Sequence, residues 1–73
     1  MFVLVFKSTH DALKSEKILK NAGYRSEIIP TPKEISSECG FAILLKDEPY
    51  QLKEKLIGFD LNCFNYETYE KLW

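Results

Sequence analysis

The chain has 73 residues, with ten basic and eleven acidic side chains, one histidine and a formal charge of −1. A near-neutral balance without a basic run excludes the phosphate-neutralising surface that nucleic-acid binding requires, and two cysteines with one histidine are too few for a disulfide framework or a structural zinc site. A hydrophobic share of 45% with 14% aromatics excludes disorder and predicts a single small domain (residues 1–73), of the size whose one core supplies about 3–5 kcal/mol.

Phe2 to Lys7 is a run of β-branched and aromatic residues, apolar on both alternating faces, which predicts a central strand. The run has no basic segment before it and no small-residue cleavage site after it, so it does not read as a signal peptide. It also falls far short of the roughly 20 residues that span a bilayer. The expectation is a cytoplasmic chain with free thiols and no membrane contact.

Ser8-Thr9 offers an N-cap, with Asp11 in the following turn, and Thr9 to Ala22 reads as the first helix. Ala12, Ser15, Ile18, Leu19 and Ala22 share one face at helical spacing, while Leu13 falls off it. Gly23 supplies the stop. Tyr24 to Ile29 alternates imperfectly, with Arg25 and Glu27 interleaved, and predicts an edge strand ended by Pro30.

The stretch Thr31-Pro32-Lys33-Glu34 has the form of a capping box: threonine at the cap, proline at the first helical position and glutamate three residues on. It predicts a one-turn helix from Pro32 to about Ser37, anchored to the core by Ile35. Cys39 follows, then Gly40, where glycine permits a left-handed or close-approach backbone. Phe41 to Lys46 repeats the apolar pattern of the first strand. Asp47 then caps a second helix with Pro49 in its first turn; Leu52, Leu56 and Phe59 share a face, and Gly58 ends it. Leu61 to Tyr69 predicts a last edge strand containing Cys63, and Glu70 to Trp73 a short tail.

The order strand–helix–strand–strand–helix–strand predicts an α+β, ferredoxin-like βαββαβ sandwich. Its antiparallel sheet has order 4-1-3-2, with two helices on one face. The two strands that are apolar on both sides then occupy the centre. This topology brings the loop between the second and third strands to the same end of the sheet as the start of the first helix. Cys39 is the candidate catalytic residue there. The opening amides of the first helix at Ser8-Thr9, the His10 imidazole and the Lys33 ammonium are the groups able to favour its thiolate. Thr31, Pro32 and Gly40 shape the loop. Cys63, in the fourth strand, reads as a packing residue too far from Cys39 for a disulfide. No cofactor loop, metal set or general acid is visible, so a carrier or accessory protein is expected rather than a stand-alone enzyme.

Three blocks carry a resemblance: Phe6-Lys7-Ser8-Thr9-His10-Asp11-Ala12-Leu13, Glu16-Lys17-Ile18-Leu19-Lys20-Asn21-Ala22-Gly23, and Ile29-Pro30-Thr31-Pro32-Lys33-Glu34-Ile35-Ser36-Ser37-Glu38-Cys39-Gly40. Together they cover most of residues 2–40. The chain resembles a small bacterial family described as "putative selenium/sulfur carrier protein-like". The resemblance implies a role resting on Cys39, holding sulfur or selenium as a persulfide or its equivalent. The Cys-Pro-x-Pro motif of other sulfur-transfer carriers does not occur.

The alternative is a non-catalytic interaction or small-ligand-sensing module in which Cys39 is incidental. Helices on one side of the sheet predict an apolar patch on the other, so a homodimer or a protein partner on that open face is expected.

Overall fold

The computed structural model describes residues 1–35, 40–49 and 51–72. The chain is an α+β fold with strands β1 (Phe2–Phe6), β2 (Ser26–Pro30), β3 (Phe41–Leu45), β4 (Leu61–Asn65) and β5 (Glu70–Lys71), and helices α1 (Thr9–Asn21) and α2 (Leu52–Lys55). The sheet is antiparallel throughout, in the order β2-β3-β1-β4-β5. It therefore differs from the four-stranded 4-1-3-2 sheet expected, because residues assigned to a tail form a fifth strand outside β4. β4 is covered at Phe64 and Asn65 rather than being the edge.

Alternation along the central strands splits the interior into two. Leu4 and Phe6 of β1, Ile43 and Leu45 of β3 and Cys63 of β4 face Ala12 and Leu19 of α1 and Leu52 and Leu56 of α2. Both helices thus cover one face. On the other face Val3, Val5 and Ala42 are only 0%, 6% and 0% exposed, packed by Ile29, Ile35, Leu44, Phe64 and Tyr66. The uncovered apolar patch expected on this face is therefore absent at its centre. The chain's own Ile35 and aromatic side chains close it, because strands apolar on both sides must bury both.

Helix α1 begins where the Ser8 hydroxyl accepts the Asp11 N–H at 3.1 Å. It ends in a Schellman motif: Gly23, at φ +89°, donates to the Lys20 carbonyl, and Tyr24 donates to the Leu19 carbonyl at 3.0 Å. Tyr24 then packs on the core. This capping role delays β2 to Ser26, two residues later than the alternation suggested, and leaves Ala22 exposed as the helix cap.

The second helix is a single turn. Its cap position is Gln51 with φ 64° and no capping side chain. Asp47, expected to cap it, is engaged elsewhere: its carboxylate accepts the Arg25 backbone N–H at 2.7 Å and the guanidinium at 2.8 and 3.1 Å. No helix among the described residues is long and apolar enough to cross a membrane.

Candidate functional site

Register brings one end of the sheet together. Val5 pairs with Ala42, Pro30 with Phe41, and Phe6 with Leu61. The start of α1, the neck of the β2–β3 connection and the entry to β4 therefore share that end. Ser8, Thr9 and His10 follow β1 at that end, and Thr31, Pro32, Lys33 and Gly40 lie on the connection between β2 and β3. Cys39 lies outside the described residues, as do Ser36 and Ser37.

The local chemistry of these groups differs from the expectation in three respects. The Thr31 hydroxyl is buried and has no hydrogen-bond partner among the described residues, so the capping box does not form. The neck closes instead through Thr31 N–H to the Gly40 carbonyl at 3.4 Å, and Pro32 to Ile35 is a turn closed by Ile35 N–H to the Pro32 carbonyl at 3.0 Å. Gly40 is exposed, and a Cβ built there meets nothing within 4 Å among the described residues.

The third difference is one of face. Ile35 packs against Val3, Val5 and Ala42, on the side of the sheet away from α1. Among the described residues no hydrogen bond or ion pair joins Thr31–Ile35 to Ser8–His10. Ser8 is spent on its cap, and Thr9, His10 and Lys33 are exposed.

Cys63 is fully buried in the helix-side core as a free thiol. Burial without a compensating charge pushes its pKa up to about 12, because the thiolate would lose its hydration. Its reading as a packing residue holds.

Two concavities escaped sequence reasoning. A pocket of about 200 Å³ at the same sheet end is lined by Val5, Phe6, Lys7, Ile35, Asp60, Asn62 and Phe64. Lys7 Nζ sits 3.0 Å from Asp60 Oδ2 at its rim, and the Lys7 N–H donates to the Asp60 carbonyl. The signal was in the register: pairing Phe6 with Leu61 makes Lys7 and Asp60 the next facing pair outward. A larger apolar groove of about 480 Å³ runs beside Leu56, Ile57, Phe59 and Leu61. Lys53, Glu54 and Gly58 also line it. No group of three or more potential metal ligands occurs among the described residues.

A family model described as "Putative Se/S carrier protein-like" matches residues 1–60. The chain belongs to this family. The Se/S carrier-like match runs from β1 through α2 and includes position 39, and β4 and β5 lie beyond it. No curated protein and no solved structure matches the chain.

Proposed function

We propose that this Se/S carrier-like chain is a cytoplasmic carrier or accessory protein that holds sulfur or selenium on Cys39, within a fold of ferredoxin-like type extended by β5. One observation carries the choice of residue. The chain has two cysteines, and Cys63 is sealed in the core with a thiol held neutral up to about pH 12. Carrier chemistry needs a thiolate, and Cys39 is the cysteine left to supply it.

In the loading step the Cys39 thiolate attacks the outer sulfur of a donor persulfide. The new S–S bond forms on Cys39, the donor's S–S bond breaks, and the donor leaves as a thiolate. No external oxidant or reductant is consumed. Ile35 and the Thr31–Gly40 neck support the reading, since they anchor the connection on both sides of residues 36–39. Association with a second copy or a donor protein through the face away from the helices would use its half-buried rim, Ile29, Leu44, Phe64 and Tyr66.

The test is intact mass after incubation with a small-molecule persulfide donor. Wild type and Cys63→Ala gain one sulfur atom, and Cys39→Ser gains none. Loading of Cys39→Ser, or no loading of wild type, overturns the proposal and leaves the interaction-module reading.

A further inference from the structure

The sulfur-transfer step proposed above draws on no polar group of the pocket at the Lys7–Asp60 end of the sheet. Its chemistry is mixed in a specific way. Polar atoms make up the larger part of its lining, among them the half-buried carboxamide of Asn62, directly opposite Val5 in the ladder, and Val5, Ile35 and Phe64 supply a smaller apolar part. An ammonium and a carboxylate stand 3.0 Å apart at its rim, with side chains 73% and 60% exposed, so both are reachable from solvent.

Such a pair selects against simple ions. A bare anion loses to Asp60 much of what it gains from Lys7, and a bare cation meets the reverse. A small molecule carrying both charges on adjacent groups satisfies both partners at once. The volume, about 200 Å³, lies below the roughly 300–1,000 Å³ typical of drug-sized ligands. That limits the ligand to the size of an amino acid.

We propose that this pocket binds a free α-amino acid with a short apolar side chain, its carboxylate on Lys7, its ammonium on Asp60 and its side chain against Val5, Ile35 and Phe64. Asn62 donates its side-chain N–H to the second carboxylate oxygen. The assignment stands on the pocket alone and is independent of whether Cys39 carries sulfur.

Titration of the ¹⁵N-labelled chain with L-alanine or L-valine, followed by amide shifts, tests it. Saturable shifts are expected at residues 5–7 and 60–64, with half-saturation in the region of about 1 mM. Acetate and methylammonium, each alone, bind at least tenfold more weakly. Lys7→Gln and Asp60→Asn each weaken the amino acid tenfold or more while the remaining amide shifts stay in place, and Cys39→Ser titrates as wild type. The absence of saturable shifts at tens of millimolar overturns the proposal. So does acetate matching the amino acid, or Asp60→Asn leaving its affinity unchanged.

Discussion

Asp47 holds Arg25 by three hydrogen bonds, one to its backbone N–H and two to its guanidinium, across the end of the sheet where β2 begins and β3 ends. The Arg25 carbonyl accepts the Lys46 N–H at 2.9 Å alongside. The guanidinium and the backbone N–H hold the Asp47 carboxyl below its usual pKa. A carboxylate whose pKa is depressed by folding contributes stability that is present above the unfolded value of about 3.9 and is lost as pH falls through the folded value. Asp47→Asn should therefore flatten the acid limb of the urea midpoint plotted against pH and lower the midpoint slightly at neutral pH. The pair is exposed, so added salt should shrink the neutral-pH difference.

Ser15 is fully buried on α1 with no partner for its hydroxyl among the described residues. A buried polar group left unpaired costs about 1–3 kcal/mol, and alanine is also the better helix former by about 0.5 kcal/mol. Ser15→Ala should accordingly raise stability by about 1 kcal/mol, read as a higher urea midpoint at unchanged slope. A fall in the midpoint would show that the hydroxyl is satisfied.

The parts of the fold fixed by local periodicity were legible. α1 was readable from Ala12, Ser15 and Leu19 with Gly23 as the stop, and β1 and β3 from apolar residues on both faces. Elements decided by distant partners were not. Asp47 looks like a helix cap in sequence, and only pairing with Arg25 diverts it, leaving α2 a single turn. The end of the sheet that gathers Ser8, Thr31 and Gly40 followed from topology. The face onto which Ile35 folds did not, because a half-buried isoleucine in a turn carries no period.

The hairpin of β4 and β5 illustrates the same point. The Asn65 side chain accepts from the Glu67 N–H at 3.0 Å and the Thr68 N–H at 3.4 Å, and Tyr69 at φ 54° returns its N–H to the Asn65 carbonyl at 2.6 Å. Asn65 is thus the last residue of β4 and also the turn former, and the residues after it, read as a continuation of the strand, are the turn. Asn65→Ala should remove both side-chain bonds and destabilise the chain by about 1 kcal/mol. Amide exchange at Leu72, which donates to the Cys63 carbonyl at 2.8 Å, should accelerate more than exchange in β1.

Cys63 predicts behaviour at the opposite end of the pH scale. Its pKa, near 9.0 for a free thiol, is pushed up to about 12 by burial. Between those values the unfolded chain has lost the proton and the folded chain retains it, so the unfolded state binds fewer protons and stability falls as pH rises. The contribution is intact below about pH 9 and is lost progressively toward pH 12. In a Cys39→Ser background, the urea midpoint should decline from pH 9 upward, and adding Cys63→Ala should remove that part of the decline. The alanine variant also leaves a small cavity among Leu4, Leu19 and Ile43, so its midpoint at pH 7 should be lower than that of the parent. Alkylation of the folded Cys39→Ser chain should proceed only through opening of the core. Its rate should rise with urea in step with unfolding. Rapid alkylation at pH 8 without denaturant would mean that this thiol is reachable in the folded chain, and the case for Cys39 by elimination would fall with it.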